Sequence, residues 1–112
     1  MAEKDYLVVR ELFERIRAVE WDEDKAAVNR RKHGIDFDEA IEVFYGVSLI
    51  RRSDRSKEER WLAIGETEDR VIAVVFTWRE DILRIISARA ARKNEKRKYN
   101  HEKMGRASEG ED

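Results

Sequence analysis

The 112-residue chain has no cysteine, no proline and only five glycines. Without cysteine there can be no disulfide framework, no thiolate zinc site and no cysteine nucleophile. Without proline, the ends of helices and strands must be set by glycines and capping side chains. Long apolar runs are missing as well. The longest, Val71 to Trp78 and Ile82 to Ile86, fall far short of the roughly 20 residues that cross a bilayer, and no secretory signal is legible at Met1. A soluble, cytoplasmic protein of one domain, with no membrane partner, is the expectation. The chain also lacks GxSxG, P-loop, GxGxxG, HExxH and EF-hand patterns, which sets aside the enzyme classes built on them. His33 and His101 lie far apart without metal-ligand spacing, so no metal or other cofactor is expected.

Charge is what the chain has in quantity. Lys and Arg number 24 against 25 Asp and Glu, and the net charge is −1. That near-neutral total conceals an asymmetry, because residues 89–103 carry seven basic and two acidic side chains. Such a segment is either a solvated helix face or a surface for phosphates.

Periodicity supplies the element order. Val9, Leu12, Phe13 and Ile16 fall at helical spacing within Glu3 to Arg17, which predicts an amphipathic helical extension over residues 1–19. Glu20 to Asp22 reads as a short strand. Asp22 then caps a helix to His33, closed by Gly34. Asp36 caps another, with Glu39 in the capping-box position and Phe37, Ala40, Ile41, Val43 and Phe44 as its buried stripe, up to Gly46. From Val47 the period shortens to 2 or gives way to β-branched runs, predicting strands Val47 to Arg52, Arg60 to Gly65, Arg70 to Trp78 and Ile82 to Ala88. Their short polar connections suit an antiparallel meander. The third strand, nearly all apolar, belongs at the centre with both faces covered. A basic helix to about Lys103 and a flexible tail over 105–112 complete the chain. The expected fold is α+β: a four-stranded antiparallel sheet plus the short N-terminal strand, two helices before it, one after, and the extra N-terminal helix, with helices on one main face.

Cations recur at element ends: Arg30-Arg31-Lys32-His33, Arg51-Arg52, Arg60, Arg79, and Arg89 with Arg92 and Lys93. They suit an anionic polymer. In RNA cleavage without a metal, a base removes the 2′-hydroxyl proton, the freed oxygen attacks phosphorus, and an acid protonates the departing 5′-oxygen. Guanidinium and ammonium groups stabilise the charge gained at phosphorus.

The segments Trp21-Asp-Glu-Asp-Lys25-Ala-Ala-Val-Asn29-Arg-Arg-Lys32-His33-Gly34-Ile-Asp-Phe37-Asp-Glu39-Ala40, Glu59-Arg60-Trp61-Leu-Ala-Ile64-Gly65 and Arg84-Ile-Ile-Ser87-Ala88-Arg89, followed by Glu95 and Tyr99, resemble the BrnT toxins of type II toxin-antitoxin systems. The resemblance covers about residues 20–102, within one domain read as residues 20–104. It implies a RelE-like fold, a ribonuclease that arrests translation, and a ribbon-helix-helix antitoxin of the BrnA type. It also implies contact with operator DNA only through the toxin-antitoxin complex. Family members often carry lysine after the Ser-Ala-Arg triplet, where this chain has Ala90. Residues 1–18 have no counterpart in the pattern.

Within that frame Lys32, His33, Arg89 and Arg92 are the candidate catalytic residues, and Arg60, Arg79, Lys93 and Tyr99 the candidate RNA-binding ones. Each has a structural alternative. His33 can complement the α-helix dipole, and Lys32 can be a surface lysine. Arg89 can pair with Glu39 or Glu95, and Tyr99 can pack its helix onto the sheet. Asn29, one turn before His33, is read as pinning a neighbouring backbone group, and the tryptophans as packing. Two rival functions stay open. One is a non-catalytic nucleic-acid or protein-binding module, such as an inactive toxin acting as co-repressor. The other is a homodimer built from the N-terminal helix and the sheet edges.

Overall fold

The computed structural model describes residues 6–55 and 57–110, with side chains to Met104. Residues 1–5 of the expected first helix and 111–112 of the expected tail lie outside the described residues. Six strands form one mixed sheet: β1 Leu7–Arg10, β2 Ala18–Glu20, β3 Val47–Arg52, β4 Trp61–Glu66, β5 Val71–Arg79 and β6 Ile82–Ala90, in the order β1-β3-β4-β5-β6-β2. All neighbours are antiparallel except β2, which runs parallel to β6. Helix α1 spans Glu23–His33, α2 Phe37–Ala40 and α3 Lys93–Gly110. The strands from Val47 onward agree with the sequence reading to within two residues at each end. The central place of β5 does too.

The N-terminal helix is a correction. Leu7 to Arg10 pair with Ile50 to Val47 as an edge strand. Glu11 takes a left-handed conformation (φ 53°), and a short 3₁₀ turn, Leu12–Arg15, carries the chain to the opposite edge. A left-handed glutamate stops helix propagation. The apolar spacing was real, since Val9, Leu12 and Ile16 all pack on the same core. The long-range pairing offered by β3 turned it into a strand and a turn, helped by β-branched Val8 and Val9. The sheet therefore has six strands rather than four plus one, and it is mixed.

A second correction concerns α2. The expected continuous helix is one α-turn followed by a 3₁₀ segment, Ile41–Phe44, and Asp36 makes no side-chain cap bond. Glu39 is drawn away from the capping box by Arg70, which donates from Nε and Nη2 at 2.9 Å each, and by the Thr67 hydroxyl at 2.9 Å. A two-pronged, charge-assisted pair outcompetes a reach back to one amide. The 3₁₀ segment sits tightly on β4: a Cβ on Gly65 would lie 2.6 Å from Val43 Cγ1, so only glycine fits there.

Helix α1 forms as read. Asp22 Oδ1 accepts from the amides of Asp24 (2.9 Å) and Lys25 (3.1 Å), and Gly34 ends the helix at φ 70°. The sheet is covered on both faces, not on one main face. Ile50, Ala63, Ile72, Val74, Phe76, Leu83, Ile85 and Ala88 meet Ala26, Phe37 and Phe44 on one side. The alternate residues Leu49, Leu62, Ile64 and Ala73 meet Tyr99 of α3 on the other. Trp21, Trp61 and Trp78 pack at the margin of the first core, as expected. Helix α3 continues past Lys103 to Gly110. No helix among the described residues is long and apolar enough to cross a membrane.

Candidate functional site: a cationic cleft beside the last helix

Between the start of α3 and the β1–β3 edge lies a cleft of about 540 Å³, lined by Tyr6, Arg51, Arg92, Asn94, Glu95, Arg97, Lys98 and His101. Its walls follow from local structure. Asn94, Arg97, Lys98 and His101 recur at helical spacing and so share one stripe of α3. Tyr6 directly precedes Leu7, whose partner is Ile50, and this register brings Tyr6 beside Arg51. Arg51 Nε donates to the Tyr6 hydroxyl oxygen at 3.2 Å, and Lys98 Nζ stands 5.5 Å from the Tyr6 ring centre. Within hydrogen-bonding or ion-pairing distance, the side chains of Arg92, Arg97 and His101 meet no partner among the described residues.

Among the described residues that line the cleft there is one carboxylate, and it is already committed. Glu95 is 4% exposed and accepts from Arg89 Nη1 (2.9 Å), Arg89 Nη2 (3.0 Å) and the Arg92 amide (2.8 Å). Burial by itself pushes the Glu95 carboxyl up. The hydrogen bonds from Arg89 and the Arg92 amide, with the charges of both arginines, outweigh it and hold the group below the usual carboxylate range. The same pairing raises Arg89, against the opposing effect of its own burial. Glu95 occupies the third position of α3, so its bond to the Arg92 amide also satisfies an orphan donor at the helix start. With that negative charge neutralised, the cleft presents Arg92 and Arg97 to solvent, with half-buried Arg51 and Lys98 beside them, around a tyrosine and a histidine.

The sequence candidates scatter relative to this cleft. Arg92 lines it. Arg89 sits behind it, forming the ion pair with Glu95 rather than pointing a free fork outward. Lys93 is exposed on the first turn of α3 but does not line the cleft. Tyr99 is 3% exposed, its ring in the second core and its hydroxyl donating to the Val47 carbonyl at 3.2 Å, so no face is open to a base. Arg60 is held by Glu58 at 2.7 Å and Arg79 faces Glu20 at 3.8 Å, both at the end of the sheet away from the start of α3.

Lys32 and His33 border a different cavity, of about 300 Å³, with Asp24, Lys25, Val28, Asn29, Ile86 and Ser87. Its floor is fixed by Asn29. That buried side chain donates to the carbonyls of Ile35 (3.1 Å) and Ala88 (3.0 Å) and accepts from the Ala88 amide (3.1 Å). Strand β2 pairs β6 only from Ile82 to Arg84, and Asn29 serves Ala88 where no strand neighbour exists. This is the backbone-pinning role expected of it. On the other flank of α3 a third cleft, of about 610 Å³, is lined by Asp38, Glu42, Glu66 and Glu68, with Lys103 paired to Glu66. Among the described residues, no cluster of three or more His, Cys, Asp or Glu side chains could hold a metal ion.

Sequence reasoning missed Tyr6, Arg97, Lys98 and His101 as site residues, and placed Arg51 only among the general cations. The helical spacing of Arg97 and Lys98 with His101 was a legible signal. Tyr6 had none, because only the β1–β3 pairing brings it there.

The described arrangement can hold a phosphodiester and move a proton beside it. None of the curated proteins matches the chain. The family model described as the ribonuclease toxin, BrnT, of type II toxin-antitoxin systems matches residues 21–95. That span contains Arg51, Arg89, Arg92 and Glu95, runs from Trp21 to the first turn of α3, and covers well over half the chain. The chain belongs to the BrnT family of ribonuclease toxins of type II toxin-antitoxin systems.

Proposed function

We propose that this toxin is a metal-independent endoribonuclease that arrests translation, and that the cleft beside α3 is its reaction centre. The observation that carries the reading is the cleft's charge: the guanidinium groups of Arg51, Arg92 and Arg97 line it, and the one carboxylate among its described lining residues is spent on Arg89. A phosphodiester entering there exchanges water for guanidinium donors. Those donors bind more strongly as negative charge grows on the phosphorus oxygens during attack by the 2′-hydroxyl. His101 is the group in the cleft best suited to taking the 2′-hydroxyl proton, because a neutral imidazole accepts through one nitrogen. The products would be a 2′,3′-cyclic phosphate and a 5′-hydroxyl. Lys32 and His33 offer the competing assignment, from the cavity beside α1.

Neutralisation follows from the same charge. A ribbon-helix-helix antitoxin of the BrnA type would act by covering the cationic cleft with its own carboxylates, and operator DNA would be met through that complex. The test is cleavage of an end-labelled RNA by purified toxin in EDTA, with the new ends identified, beside Arg97→Ala and His101→Ala variants of checked fold. Cyclic phosphate ends, lost in either variant, support the proposal. Salt-sensitive binding without cleavage would replace it with the non-catalytic, co-repressor reading.

A further inference from the structure

Tyr6 lies outside the residues matched by the family model, yet it forms a wall of the cleft. From this geometry we propose that Tyr6 is a substrate-contacting residue, its hydroxyl donating a hydrogen bond to an oxygen of the bound phosphodiester while Arg51 orients the phenol and supplies charge beside it. The inference rests on the ribonuclease reading of the cleft and deepens it: a residue leading into the first strand, beyond the family segment, completes the site.

Three observations carry it. First, the hydrogen bond between the two residues has a direction. An arginine Nε can only donate, so the phenol oxygen is the acceptor at 3.2 Å. The phenol's own proton is left to point elsewhere, and no acceptor for it exists among the described residues. Second, the ring is fixed. It is half-buried and packs, with Val8, on the second core that holds Leu49, so the hydroxyl is held in place by packing. A donor fixed in advance loses little on binding. Third, its neighbours are cationic. Arg51 spends Nε on the phenol and Nη1 on the Arg52 carbonyl at 3.0 Å, which leaves Nη2 for a ligand, and Lys98 stands over the ring. An O–H donor without an acceptor among the described residues, beside a guanidinium with Nη2 to spare, fits an anionic oxygen and not a cation or an apolar group.

Tyr6→Phe removes the hydroxyl and keeps the ring. The expected result is a roughly tenfold loss in kcat/KM for RNA cleavage, with weaker RNA affinity and an unchanged melting temperature. Because the lost group is neutral, the dependence of affinity on salt should keep its slope in Tyr6→Phe. In Arg51→Ala, which removes a phosphate contact, that slope should fall by about 0.7 for single-stranded RNA. Val8→Ala is the control, since Val8 packs on the same core from the strand that follows Tyr6, without lining the cleft. Wild-type affinity and kcat/KM in Tyr6→Phe would overturn the inference, as would equal losses in Val8→Ala. A wild-type toxin that binds RNA without cleaving it would overturn the ribonuclease reading alone, since the affinity of Tyr6→Phe would still decide the contact. A toxin that neither binds nor cleaves RNA would overturn both.

Discussion

The cleft beside α3 and the cavity beside α1 both collect cations, but they are built differently. The first draws on three distant parts of the chain: the approach to β1, the end of β3 and the first turns of α3. Its carboxylate is buried and satisfied by an arginine behind it. The second is mostly one face of α1, from its first turn to its last, over the half-buried bulge of β6, where Ile86 is the extra residue opposite the Val75/Phe76 step. Its cations project from the surface, and Asp24 stands among them unneutralised by a buried partner. A row of side chains along one helix face follows from local sequence and is common, and the cations of its last turn also suit the dipole. A cluster assembled from separate elements around a neutralised acid has little structural reason to exist. That contrast favours the α3 cleft as the place where phosphate is held.

The strongest way to break the comparison is to empty each region of charge in turn. Arg51→Ala with Arg97→Ala should lower RNA cleavage by at least about a hundredfold, the scale of losing a preorganised donor. Lys32→Ala with His33→Ala should change it by no more than about threefold, as for rim charges that steer association. The reverse ranking, measured on a labelled RNA under single-turnover conditions, would move the reaction centre to α1.

Next come the polar floors. Asn29→Ala would leave both backbone groups of Ala88 without their partner, and urea unfolding should show a loss of about 3 kcal/mol. Glu95→Gln would leave the partly buried Arg89 guanidinium unbalanced, with a cost of similar size. The two should differ in activity. Glu95→Gln alters the charge around the cleft and should shift RNA affinity and its salt slope, whereas Asn29→Ala should leave both near wild type. Equal effects on affinity would erase the distinction between the two regions.

Acid should expose the same difference more gently. Glu95 and Glu39 both titrate below the usual carboxylate range, Glu95 because its arginine and amide bonds outweigh burial, Glu39 chiefly through its bond to Arg70. Their stabilisation is fully present above the unfolded-state value near 4.3. It is lost as pH falls through their lower folded-state values. Thermal melts from pH 6 down to 2.5 should show that loss below about pH 4, and Glu95→Gln should flatten the curve there. The smallest effects belong to Arg60 and Arg79. Their ion pairs are at the surface, at 2.7 and 3.8 Å, so alanine at either should change stability by less than about 1 kcal/mol. RNA affinity should move little.

How much could be read in advance differs between elements for physical reasons. Helix α1 was legible because Asp22 and Gly34 act within a turn of themselves. The last four strands were legible because their β-branched runs and short connections specify hairpins locally. The first strand was not: the spacing of Val9, Leu12, Phe13 and Ile16 fits a helix, and the open edge of β3 that overrides it lies 40 residues away. Glu39 was misassigned for the same reason, since Arg70 competes for it across 31 positions. Around the α3 cleft, Arg92 was picked out from local charge; Arg89 was read as a catalytic group with pairing to Glu39 or Glu95 as its alternative, and the pairing with Glu95 is what forms. Tyr6 was missed.

The sequence by itself determined the family, through motifs between Trp21 and Glu95, and the strongly basic character of the last helix, because both are properties of neighbouring residues. Only the tertiary structure decided which of the many cations share a cleft, which are consumed in ion pairs, and that a tyrosine near the N-terminus faces them. Those outcomes depend on strand register and on competition between partners distant in the chain. Charge and periodicity, read locally, carry no information about either.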